Sequence, residues 1–172
     1  MADRPDLNNY SKNMQRVFTQ TFGVVGAILE KDGKILLVKE VKEEAKGQWS
    51  HPAGWIEVGE NLIESIKREV KEESGYDFKP THIIGVYSLH KENLKEKWGR
   101  TPHAIKIIFA GSISKERSED LHNDVSETKW FLPEEIYQMD INTLRDMDIK
   151  DMVKRYFDGG KYPLELLLHT KQ

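Results

Sequence analysis

Cysteine is absent from the 172 residues, which excludes a disulfide scaffold, a thiolate metal site and a cysteine nucleophile, and fits a reducing compartment. Long apolar runs are absent too. Nothing approaches the roughly 18 residues a membrane span needs, and the polar stretch from Met1 to Gln20 lacks the apolar segment of a secretory signal. The expectation is a soluble, cytoplasmic chain with no membrane partner. Nor is there a surplus of positive charge: 26 Lys and Arg face 29 Asp and Glu, for a net charge of −3. No stable nucleic-acid partner is expected, because such proteins need cations to displace counterions from phosphates. With 12 Gly, 6 Pro and 38% hydrophobic residues, the chain is neither collagen-like nor wholly disordered, and its length suits one domain.

Residues 1–20 read as a polar N-terminal extension, 21–160 as the domain and 161–172 as a tail. The apolar run Gly23 to Leu29 and the run Ile35 to Val38 flank Asp32-Gly33, a hairpin signal. A charged loop, Val41 to Gln48, leads into the Gly- and Pro-containing stretch Trp49 to Ile56. A helix is predicted from Asn61 to Ser74, with Asn61 as N-cap, Glu64 as capping-box partner and Gly75 as the left-handed residue after its end. Further strands are predicted at Ile83–Leu89, Ala104–Ile113 and Thr128–Leu132, then helices at Pro133–Gln138 and Asp146–Phe157. Strands on both sides of a central helix indicate an α/β (α+β) fold. The apolar tail Leu164 to Leu168 is expected to dock on its own domain or on a second copy.

Within the central helix, Leu62, Ile63, Ile66 and Val70 form one buried stripe. Glu69, Glu72 and Glu73, spaced i, i+3, i+4, crowd the edge beside it. Like charges so placed repel, and a hard divalent cation with oxygen ligands is the natural compensation. A bare Glu-x-x-Glu-Glu is also what a solvated acidic face looks like, so the triplet alone does not decide.

The surrounding residues do. Gly54, Glu60, Arg68-Glu69-Val70, Glu72-Glu73 and Gly75-Tyr76 stand at the offsets of the Nudix box, and the chain from about Phe22 to Gln138 resembles Nudix hydrolases. The resemblance implies a mixed β-sheet sandwiched between α-helices. It implies hydrolysis of a pyrophosphate bond in a nucleoside diphosphate linked to another moiety, with Mg²⁺ or Mn²⁺ as cofactor. Carried over, Glu69, Glu72, Glu73 and the main-chain carbonyl of Ala53 would hold metal, although the family more often has Gly where Ala53 stands. Glu60 and Arg68 would form a supporting ion pair, with Gly54 and Gly75 shaping the loop and the helix end. Glu69, Glu72 and Glu127 are the expected catalytic residues. The general base is either a metal-free glutamate of the box, such as Glu69, or a carboxylate from the loop holding Asp120, Asp124 and Glu127, with Glu127 favoured by its distance to Trp130. Similar proteins commonly dimerise, so a homodimer is a possible assembly.

The substrate is a small nucleotide, its identity not written in the box. Lys91 to Leu94 stand where dedicated ADP-ribose and dinucleoside-polyphosphate subfamilies carry an extra Pro or Tyr, which weakens both dedicated readings. A nucleotide sugar or ADP-ribose-like compound is favoured. The alternatives are a nucleoside triphosphate or dinucleoside polyphosphate, or a non-catalytic nucleotide-binding module. Trp55, Glu57 and Arg100 are the expected substrate contacts. Trp49 reads as packing, and Trp98 lies with Arg100 and Lys97 in an inserted loop. His51, His90 and His103 are scattered and suggest no zinc site.

Overall fold

The computed structural model describes residues 21–43, 45–92, 103–119, 121 and 123–170. Strand β1 (Thr21–Ile28) lies parallel to β7 (His103–Arg117) and antiparallel to β5 (Ala53–Trp55), while β6 (Tyr76–His90) pairs antiparallel with β7. This mixed sheet runs in the order β5-β1-β7-β6. A second, antiparallel sheet joins β2 (Glu30–Lys31), β3 (Lys34–Glu40), β4 (Trp49–Ser50) and β8 (Val125–Phe131). The β2–β3 hairpin turns at Asp32 and Gly33, both with positive φ (52° and 77°), as its Asp-Gly signal requires.

Alternation along β1 separates two cores. Val25 and Ala27 point to one face of the mixed sheet and join Phe109, Ile66 and Val70, so helix α1 (Leu62–Ser74) packs there through the stripe expected of it. Ile28 points to the other face and joins Ile108 and Ala110 against Ile149, Met152 and Val153 of a late helix, with Ile136 of a short one. Those are α2 (Pro133–Gln138) and α3 (Ile149–Phe157). The mixed sheet is therefore sandwiched between helices, as expected, with the antiparallel sheet closing one side of the second core. Among the described residues no helix is long and apolar enough to cross a membrane.

Some boundaries differ from the sequence reading. Asn61 does cap α1, its Oδ1 accepting from the Ile63 N–H at 2.8 Å, but Glu64 takes Lys67 Nζ at 2.8 Å instead of completing a capping box. Helix α3 starts at Ile149 and not at Asp146, because Asp146 and Asp148 are turned onto Lys106. Strand β6 begins at Tyr76, directly after Gly75, and accommodates Pro80 by register shifts on a sheet edge. In the tail, Leu164 and Leu167 pack on the α1-side core while Leu166 and Leu168 stay exposed. Tyr162 and Ile83 exchange two backbone hydrogen bonds of 2.9 Å, tying this segment to β6.

Candidate active site

Cross-strand neighbours share a face, and the register lines up Phe22, Val24, Ala53, Trp55, Ala104 and Lys106 on the face opposite α1. Where α3 no longer covers that face, it becomes the floor of a cleft of about 1010 Å³, to which Leu89, His51, Arg145 and Asp146 also contribute. The box borders this cleft because β5 is a free sheet edge. From the far face, α1 sends its glutamates around that edge. Glu73 Oε2 accepts the Ala53 N–H at 2.9 Å, a donor that an inner strand would have spent on pairing. Glu69 lies against Gly54 so closely that a Cβ on Gly54 would overlap its carboxylate. Glu69, Glu72 and Glu73 all line the cleft, with Ala53, Gly54, Trp55 and Glu57 beside them.

Arg68 organises the acid cluster. Its Nε and Nη2 donate to the two oxygens of Glu60, each at 2.9 Å, forming the bidentate pair expected between loop and helix. Its Nη1 donates to Glu69 at 2.6 Å and to Glu72 at 3.4 Å, and Nη2 reaches the Trp55 carbonyl at 3.2 Å. The pairing holds the Glu60 carboxyl down to about 2. Burial dominates elsewhere: it raises Glu69 against the pull of Arg68, and it pushes Glu73 up to about 8, only partly opposed by the Ala53 N–H. Neighbouring Glu40 and Glu69 add to the rise at Glu73. An acid cluster this destabilised in its charged form gains most from a cation.

A hard divalent ion fits these residues by two observations. The donors are carboxylate oxygens, the ligand type that Mg²⁺ and Mn²⁺ prefer. The missing side chain at Gly54 leaves room that Glu69 fills on the cleft side. Among the described residues no three acidic or imidazole groups already converge on one point.

Other expected site residues are placed differently. Glu127 sits across the strand pair from Lys39, forms an ion pair with it at 3.3 Å, is half-exposed, and is not among the cleft-lining residues. Asp124, from the same stretch, does line the cleft and pairs with Lys42 at 2.8 Å. Trp55 is 51% exposed with its ring 4.3 Å from that of Phe22 at the rim of the cleft. Trp49 packs on Phe131 at 4.9 Å, as a packing residue should. Arg100, Lys97, Trp98 and Asp120 lie outside the described residues.

Several cleft residues escaped the sequence reading. Lys106 is buried on the floor, bonded to Asp146 at 3.1 Å and Asp148 at 3.0 Å, and Lys91 adds an ion pair to Asp146 at 2.7 Å. Arg145 pairs with buried Glu40. The available signal was a lysine inside the otherwise apolar run Ala104 to Ala110.

Comparison with known proteins agrees with this geometry. The family model for the NUDIX domain matches residues 18–153. Phosphatase NudJ of Escherichia coli K12 is 31% identical over 144 residues, covering 83% of this chain and 88% of the relative. A NUDIX hydrolase from Nitrosomonas europaea superposes with a TM-score of 0.77 at 28% identity, over 88% of this chain and 98% of that one. The NUDIX domain of Shewanella oneidensis NrtR, solved in complex with ADP ribose, shares the fold with a TM-score of 0.63 at 16% identity, over 88% and 99% of the two chains. With the box intact and its glutamates gathered on the cleft, this chain belongs to the Nudix hydrolase family.

Proposed function

We propose that this protein uses Mg²⁺ or Mn²⁺ to hydrolyse a pyrophosphate bond in a nucleoside diphosphate linked to another moiety, with nucleotide sugars and ADP-ribose-like compounds favoured. The observation that carries the reading is the set Glu69, Glu72 and Glu73 at the free edge of β5, bordering a cleft of about 1010 Å³. Nudix hydrolases generally need a divalent metal and act on small nucleotides. Glu72, Glu73 and the carbonyl of Ala53 would hold the ion here, with Glu69 either a further ligand or, left metal-free, the base. When bound, the ion supplies charge neutralisation of the diphosphate and lowers the pKa of water.

The chain's own groups do the rest. Water attacks one phosphorus, the bridging P–O bond breaks, and a nucleoside monophosphate and a phosphorylated remainder leave. Glu69 takes the proton of the attacking water. Its support is position: it lies against Gly54 on the cleft, and burial raises its affinity for a proton above that of an exposed carboxylate. Arg68, anchored by Glu60, keeps that carboxylate aimed at the cleft. Glu72, more exposed and held only loosely by Arg68, is free to turn between roles. The position of Glu127 beside Lys39 favours a base from the box over Glu127. Trp55, Glu57 and the rim beyond them face the substrate, with Arg100 a further phosphate contact. The absence of cysteine supports a cytoplasmic setting.

A thermal-shift screen tests the reading with ADP-ribose, nucleotide sugars, nucleoside diphosphates and triphosphates, each with and without Mg²⁺, followed by product analysis. The expected result is stabilisation and turnover that need both Mg²⁺ and Glu73, and so vanish in Glu73→Gln. Equal turnover by Glu73→Gln sinks the assignment. Tight binding of ADP-ribose without turnover turns it into a ligand-sensing module.

A further inference from the structure

Of the polar side chains on the cleft floor that the hydrolytic machinery leaves unused, His51 stands apart because it has no partner. His51 is 2% exposed and lines the cleft, and among the described residues neither Nδ1 nor Nε2 has a hydrogen-bond partner. Its neighbours do not supply one. Lys106, Lys91 and Arg145 are each engaged by Asp146, Asp148 or Glu40. The fold makes specific room for this ring: it lies over Gly26, where a Cβ would overlap Nε2 and stand 3.0 Å from Ile108 Cδ1. A strand position without a side chain is a costly way to house a histidine that bonds nothing. An apolar residue would serve packing better, so the two idle nitrogens point to a ligand.

The surroundings define the ligand's chemistry. Phe22, Val24, Leu89 and Met147 give the cleft an apolar lining, to which His51, Lys106 and Asp146 add polar groups. An apolar lining with a few polar groups suits a planar heteroaromatic ring, whose faces are apolar and whose edge carries donors and acceptors. A hexose in the same place would press hydroxyls on apolar carbon.

We infer that His51 is a specificity-determining residue, its imidazole hydrogen-bonding, directly or through one ordered water, to the polar edge of a heteroaromatic ring carried by the substrate. The inference rests on the proposed function, which puts the diphosphate beside the glutamates that border the same cleft. The histidine is what separates a ring-bearing substrate from a ring-free one.

Calorimetric binding of AMP, GMP, CMP and UMP, with ribose 5-phosphate as the ring-free control, tests it on the wild-type protein, His51→Phe and His51→Gln, alongside melting temperatures. Wild type should bind at least one nucleotide about tenfold or more tighter than ribose 5-phosphate. In His51→Phe that preference should collapse with the melting temperature unchanged or raised, and His51→Gln, which keeps a donor and an acceptor, should restore part of it. A preference that survives in a folded His51→Phe overturns the inference, as does a wild type with no preference at all. Turnover of any diphosphate that depends on Glu73 would leave the proposed function standing in either case. Conversely, a His51-dependent preference together with turnover indifferent to Glu73→Gln would overturn the proposed function and keep the ring site.

Discussion

Gly54 does what no other residue can do at its position, and the reason is a single contact. A Cβ there would occupy the space of the Glu69 carboxylate. Gly54→Ala is therefore expected to push Glu69 off the cleft wall while α1 and the sheet stay formed. Displacement of a catalytic group by about 1 Å costs on the order of 100-fold, so kcat/KM should fall by about that factor, and Mg²⁺ should lose its stabilising effect on the melt. Unchanged far-UV circular dichroism would show that the fold survived. Full activity in Gly54→Ala would mean that the close approach of Glu69 to the loop is not needed. Gly54 and the glutamates could be read from the chain because their spacing is local. His51 could not, since its isolation depends on Gly26 and Ile108 arriving from two other strands.

Among the elements, α1 carries the most information in its own sequence. Its stripe, its N-cap and its terminal Gly75, with φ 78°, all agree. Glu60 and Arg68 then lock the preceding loop onto it. This lock has a pH signature. In the folded protein Arg68 holds the Glu60 carboxyl at about 2, below its ordinary value of 4.5. A group depressed in this way stabilises the fold above about pH 4.5, and its contribution fades as the pH falls toward 2. Glu60→Gln should consequently cost about 1–2 kcal/mol at pH 7, the scale of a charge-assisted hydrogen bond. In urea unfolding the gap to wild type should narrow steadily when the pH is lowered to about 3. A gap that stays constant would rule the ion pair out as its cause. The start of β6 was missed because the strand runs on through Pro80 by register shifts against β7, and the start of α3 because polar residues there are held by a partner far along the chain. Asp146 and Asp148 look like a helix start until Lys106 claims them.

For the molecule as a whole, that Lys106 network is the joint between the mixed sheet and its second layer. It fastens β7 to the segment entering α3, under the cleft floor. Removing one partner of a buried ionic cluster strands the others, typically at about 3–5 kcal/mol. Lys106→Ala is expected to lose about that much stability in urea, because Asp146 and Asp148 would be left buried, with Lys91 paired to Asp146 and Arg145 already engaged by Glu40. A loss below about 1 kcal/mol would show that the cluster is well enough hydrated to do without its lysine.

The sequence by itself determined the family, the central helix, its N-cap and terminal glycine, the hairpin turn and the carboxylate chemistry of the box's side chains, because each rests on residues a few positions apart whose geometry is set by one helical or turn period. Tertiary structure alone decided where that chemistry faces and what stands across from it. The free edge of β5, the overlap of Gly54 with Glu69, the withdrawal of Glu127 to Lys39 and the lodging of His51 over Gly26 all arise from strand order and register. Those are settled by packing between distant segments, and no local period encodes them.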